Sequence, residues 1–268
     1  MSAEDGGRRP PLQRSLCIPK VALSRRTMDM RAFVSTVTPV SEAPSTVASS
    51  APPAPARTVP QVATTLELLL VYSGILLYIW RWQTTHPRAW APLLAVVLLS
   101  HVAHGDTAPK LGLTTVELRA NAEAVLPVMA ALYLPLFAYG FARHTLTLVA
   151  PGTQTLEWFT SYGLWAAFQQ YLAQSYFHNR LMSVVRSRRL SSLLVAIMFG
   201  AAHIPNPVLM AATTIGGLIF SEAFARHRNI WPLALAHTAG AFLIAAVAPA
   251  SLIHNMRVGP GYYFYRMR

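Results

Sequence analysis

Five residues carry the groups that could do chemistry, and they fall in three places. Gln169, Gln170 and Gln174 interrupt an otherwise apolar run between Leu164 and Leu181, and the polar group His178-Asn179-Arg180 closes it. At about 100° per residue Gln170 and Gln174 share one helical face, while Gln169 lies above Ala173, Tyr176 and Arg180 on another. An unpaired amide turned toward lipid costs several kcal/mol, so these side chains must face a polar interior. His203 follows Phe199 by one helical turn and precedes Pro205-Asn206-Pro207, where a helix cannot continue. The imidazole therefore sits at a helix C-terminus, at the edge of a cavity. His237 stands mid-helix among Ala234, Gly240 and Ala241, small residues that let helices approach closely. Two imidazoles and three amides at membrane depth can line a proton or substrate path, or bind and polarise a peptide carbonyl.

The elements that must hold these groups are helices in a bilayer. Of 268 residues, 53% are hydrophobic and only 12% charged, about half the charge of a soluble domain. The expected architecture is all-α, a polytopic membrane bundle over residues 61–268. Seven segments reach or approach spanning length: 65–82, 89–103, 122–142, 157–182, 190–204, 208–225 and 230–248. The fourth is long enough that its Arg180 end is expected to emerge from the hydrocarbon. Residues 1–60 hold nine prolines among Ala, Ser, Thr and Val with no period, and read as a disordered basic tail.

The formal net charge is +12, nearly all from arginine, and it flanks apolar segments rather than forming a nucleic-acid surface. Placing Arg186, Arg188, Arg189, Arg226 and Arg228 inside puts the N-terminus in the cytoplasm, at a bacterial inner membrane. Seven spans then leave Arg257, Arg266 and Arg268 outside, unless an eighth crossing brings them back. The single cysteine, Cys17, excludes an intrachain disulfide and any multi-cysteine metal site. His101 and His104 share a helical face and read as interfacial polar lining, with metal binding the alternative. Membrane spans bear few carboxylates: Glu67, Glu123, Glu157 and Glu222. The HExxH, GxGD and GxSG signatures of zinc, aspartyl and rhomboid-like serine proteases are absent.

The order of the polar groups resembles the CPBP family of membrane proteins. That family includes type II CAAX prenyl endopeptidases, bacteriocin-processing proteins and Abi-type proteins. Its marks are Glu-Glu-xxx-Arg on one helix, Phe-xxx-His on the next and His-xxx-Asn on a later one. Here Gln169-Gln170-xxx-Gln174, Phe199-xxx-His203 and His237-xxx-Ala241 stand in those places, within a core of about residues 90–250. The resemblance implies an intramembrane endopeptidase that processes peptides or CAAX-type prenylated tails near the cytoplasmic face. Gln169 would take the water-activating place, His203 the water-binding place and His237 that of an oxyanion donor. Gln170, Gln174, Phe199, Asn206 and Ala241 would line the substrate site. A divalent ion such as zinc, if one is held, would be taken by His203 and His237. Membrane lipid and a hydrophobic or lipidated peptide are the implied partners, with no nucleic acid. Because an amide is no base near neutral pH, a pseudoprotease that only binds such peptides is the alternative, and a small histidine-dependent transporter a third reading.

Overall fold

The computed structural model describes residues 59–147 and 152–264, and every regular element among them is helical. Cys17, the prolines and arginines up to residue 58, and Arg266 and Arg268 lie outside the described residues. Helix α1 (Gln61–Leu77) runs through a π-turn (Tyr78–Trp82) into α2 (Gln83–Thr85), one rod of 25 residues. A 3-10 turn (Pro87–Ala89) leads to α3 (Trp90–Ala103), followed by a short α4 (Ala108–Leu111) and the long α5 (Leu118–Ala142). Next come α6 (Thr153–Gln170), a π-helix (Tyr171–His178) and α7 (Asn179–Val185), which form one continuous helix. The chain continues as α8 (Arg188–Ala201), α9 (Pro207–His227) and α10 (Trp231–Val247). It closes with α11 (Ala250–Ile253), a 3-10 turn (His254–Met256) and α12 (Pro260–Tyr263).

A helix thus occupies each of the seven expected segments. By length and composition, three among the described residues suffice to cross a membrane: Gln61–Thr85, Leu118–Ala142 and Pro207–His227. Their outward rows are apolar. Leu69 and Leu70 on α1, Val102 on α3, Leu134 and Phe141 on α5 and Leu164 on α6 are all more than half exposed. Apolar surface on this scale is not left to water.

Inside, Leu68, Val71, Val97, Tyr176, Phe177 and Val195 join α1, α3, the π-helix and α8, while Val125, Met129, Phe220, Phe224 and Leu233 join α5, α9 and α10. Tyr171 packs against both groups. Helices α8 and α9 form a close hairpin because glycine keeps the contact open. A Cβ at Gly200 would strike Thr214, and one at Gly217 would lie 3.3 Å from the Ala196 Cα. The two ends of this hairpin differ. At one, Glu222 of α9 pairs with Arg188 (3.4 Å) and Arg226 (3.1 Å), and Arg228 reaches Asn179. At the other, Asn206 caps α9 by accepting from the Leu209 N–H at 3.2 Å.

Arg180 is buried inside the protein, at 2% exposed. Its guanidinium donates to Asp106 Oδ2 (2.7 Å) and to Ser100 Oγ (2.8 Å), and its Nε lies 3.5 Å from Glu67 Oε1. Tyr176 and Ser100 also donate to Glu67, at 2.7 and 2.5 Å, and Lys110 closes on Asp106 at 2.6 Å. Burial alone would raise the Asp106 carboxyl. Hydrogen bonds from His101, Arg180 and Lys110, with the Arg180 charge, hold it below the usual carboxylate range instead. His101 donates to Asp106 through Nδ1 (2.7 Å), whereas His104 donates to the Ser100 carbonyl (2.9 Å). The two histidines are members of this tie between α1, α3 and α7, not a shared metal face.

Candidate active site

The site is built from one end of the bundle. Helix α6 delivers Gln169 and Gln170 in its last turn, and the π-helix places Gln174 beyond them. Gln174 Nε2 donates to Gln170 Oε1 at 3.4 Å, and Gln170 Nε2 donates to His237 Nδ1 at 3.2 Å. Since Nδ1 of His237 accepts, its proton resides on Nε2. His203 is set the opposite way. Its Nδ1 donates to the Phe199 carbonyl at 2.7 Å, which leaves Nε2 with a free lone pair. The Phe199 ring stands edge-on to both imidazoles, 5.1 Å from His203 and 5.7 Å from His237. One ring therefore offers an acceptor and the other a donor across a single phenyl group.

Both histidines line a cavity of about 610 Å³ together with Gln169, Phe199 and Ala241. A second, more apolar hollow of about 660 Å³, walled by Tyr72, Ile75, Leu93, Phe168, Phe177 and Met198, shares Gln169, Phe199 and His203 with the first. The two meet at the catalytic candidates. Gln169 lines both hollows, and its Oε1 is buried without a hydrogen-bond partner. Of the expected substrate contacts, Phe199 and Ala241 line the cavity, while Gln170 and Gln174 are fully buried behind it and orient His237.

Asn206 does not face the cavity. Its Nδ2 donates to the carbonyls of Ile253 (2.7 Å) and Arg257 (3.2 Å), and its Oδ1 caps α9. With the Gly259 N–H donating to the Ile204 carbonyl (2.9 Å), Asn206 pins residues 253–261 as a strap beside His203. Gly259 is needed there, since at φ +55° its Cα lies so close to Ile79 that a Cβ would come within 3.1 Å of the Ile79 carbonyl. Met256, Arg257, Val258 and Pro260 complete the cavity wall. The strap sits at the Asn206 end of the α8–α9 hairpin, away from Arg188 and Arg226.

Sequence reasoning missed Tyr162, Gln83, Thr213 and the strap. Tyr162 lines the cavity with its ring 6.3 Å from His237. Its seven-residue spacing from Gln169, two helical turns, was a usable signal. Gln83 and the strap reach the cavity through tertiary packing, which no local pattern announces. Among the described residues no group of three His, Cys, Asp or Glu is placed to hold an ion.

A family model described as type II CAAX prenyl endopeptidase Rce1-like matches residues 67–243. The chain belongs to that family. The match runs from Glu67 on α1 to Leu243 on α10 and so includes all eight expected site residues and the Arg180 tie. This Rce1-like chain is accordingly an integral membrane protein of the CAAX-protease class. No curated protein and no solved structure matches it.

Proposed function

We propose that this Rce1-like chain is an intramembrane endopeptidase in which His203, not a carboxylate, takes the proton from water. The carrying observation is that His203 and His237 line one cavity with their Nδ1 atoms engaged by the Phe199 carbonyl and the Gln170 amide; this reading gives His203 Nε2 the lone pair and His237 Nε2 the N–H. In this reading His203 Nε2 accepts a proton from water as the oxygen attacks the peptide carbonyl. His237 Nε2–H donates to the oxyanion. The tetrahedral species collapses with breakage of the C–N bond, and His203 returns the proton to the leaving amine, giving a carboxylate and an amine. Gln169 lines both hollows beside His203, and as an amide it cannot share the proton. The reading routes no step through a metal.

A tail of apolar residues, lipidated or not, suits the second hollow, whose walls are aliphatic and aromatic. The test is cleavage of a fluorescent farnesylated peptide by purified protein in detergent. His203→Ala is expected to lower turnover at least 10²-fold, and His237→Ala by about 10²–10³-fold, each with unchanged elution as a folded protein. The amide at Gln169 favours one other reading, a peptide-retaining pseudoprotease. Retention of the peptide without cleavage by wild type and by either variant would establish it in place of the peptidase.

The arginine-derived orientation and chemistry near the cytoplasmic face cannot both hold. The cavity and strap sit at the hairpin end away from Arg188 and Arg226. We take the arginines as the guide, so the N-terminus is cytoplasmic and the cavity opens toward the far side of the membrane. In a Cys17→Ser background, a cysteine at Ser251 is expected to react with an impermeant maleimide in intact cells. One at Ser187 is expected to react only after lysis. The reverse labelling would return the site to the cytoplasm.

A further inference from the structure

The reaction read above places a full negative charge on one oxygen, and His237 alone answers it. Among the described residues, the cavity wall carries four hydroxyls, on Thr84, Tyr133, Tyr162 and Thr213. Two of them are already used. Tyr133 donates to the Ala236 carbonyl at 2.7 Å, and Thr213 donates to the Leu209 carbonyl at 2.6 Å. Thr84 belongs to α2 and is exposed. Tyr162 of α6 differs from all three. It is half-buried, its ring meets those of His237 (6.3 Å, 88°) and Phe242 (5.7 Å, 76°) edge-on, and its hydroxyl has no hydrogen-bond partner among the described residues.

The placement follows from the packing of α6 on α10. The helices run close there, since a Cβ at Gly163 would lie 3.9 Å from Thr238 Oγ1. His237 and Phe242 bracket Ala241, so a ring in contact with both stands level with Ala241, one turn beyond His237. Ala241 shares the cavity wall and ends in a methyl group, which donates nothing. From this arrangement we infer that the Tyr162 hydroxyl is the second donor to the oxyanion, which makes Tyr162 a catalytic residue of this chain. The inference rests on the peptidase reading given above. A phenol O–H donates without carrying charge, so an empty site holds no orphaned ion. Its hydrogen bond strengthens as the carbonyl oxygen becomes an anion, so the gain falls on the transition state rather than on the bound peptide. Two donors from different helices also fix the direction of the oxygen, where one fixes only its distance.

The experiment compares wild type with Tyr162→Phe, as full chains in detergent. Phenylalanine keeps the ring against His237 and Phe242 and removes the hydroxyl alone, so unchanged elution as a folded protein is expected. Two readouts are taken: cleavage of the farnesylated peptide, and binding of the same peptide with a phosphinate in place of the scissile amide, whose tetrahedral anionic oxygen copies the oxyanion. Tyr162→Phe is expected to lower kcat by about 10²-fold with KM nearly unchanged, and to weaken phosphinate binding by a similar factor. Equal kcat and equal phosphinate affinity in the two proteins overturn the inference and leave the peptidase reading standing. So does a loss confined to KM, which would make Tyr162 a wall of the site, or a fall in kcat with phosphinate binding intact. Phosphinate binding that depends on the hydroxyl in a protein that cleaves nothing upholds the donor and removes the peptidase reading. Neither cleavage nor phosphinate binding by wild type overturns both.

Discussion

Gln169→Glu is expected to raise the rate of peptide cleavage by about 10²-fold or more, the range a positioned general base supplies. The substitution exchanges an amide nitrogen for an oxygen and leaves the side-chain volume almost unchanged. Gln169 lies where the two hollows meet, so a carboxylate at this position would stand at the wall that both share with His203. An amide oxygen there can accept a hydrogen bond but not a proton. With a carboxylate at this position, His203 would be relieved of sole responsibility for the proton and could hold the water instead. The cost is one charge without a cationic partner, because Gln170 and Gln174 hydrogen-bond each other and His237 and offer none. A somewhat lower melting temperature should therefore accompany the gain in rate. Identical rates for the two proteins in a single-turnover assay would mean that the position does not touch the attacking water.

Arg180→Ala is expected to remove about 3 kcal/mol of stability, because it takes the cation from Glu67 and leaves buried Asp106 to Lys110 and His101 alone. Asp106 has 0% side-chain exposure and Glu67 19%, so water cannot fully replace the guanidinium at either. Adding Asp106→Asn and Glu67→Gln to Arg180→Met should recover much of the loss, since the penalty comes from orphaned charges rather than from missing contacts. The tie also has a pH signature. A carboxyl held below its ordinary range contributes stability that is complete above the unfolded pKa of about 3.9 and fades as the pH falls below it. Thermal unfolding in detergent between pH 7 and pH 3 should show wild type losing stability below about pH 4. The triple variant should be flatter over that window. If Arg180→Ala melts as wild type does, the tie contributes no stability.

The helical class and the positions of all seven segments were legible from composition and apolar run length, because those depend on local sequence alone. So was the pairing of Gln170 with Gln174, one turn apart. His203 and His237 stand out by a different signal, ionisable groups where lipid would not tolerate them. What escaped was set by distant partners. The length of its helix places Arg180 at a membrane edge but says nothing of its partners; Glu67 and Asp106 arrive from segments more than 70 residues away in the chain. Asn206 reads as a substrate contact because it adjoins His203, whereas its three hydrogen bonds go to a cap and to a strap that no helical period foretells.

The π-helix from Tyr171 to His178 has a consequence for how this chain can vary. It lies between the amides that orient His237 and the arginine that closes the tie, so the angular offset of those two centres depends on a turn wider than the α-helical one. Reverting that turn to ordinary α-helical winding with the same number of residues would advance the rotation at each of them and turn Arg180 away from its acids while leaving Gln170 in place. The wider turn, rather than the identity of most residues within it, is thus what sets the angle between the two centres.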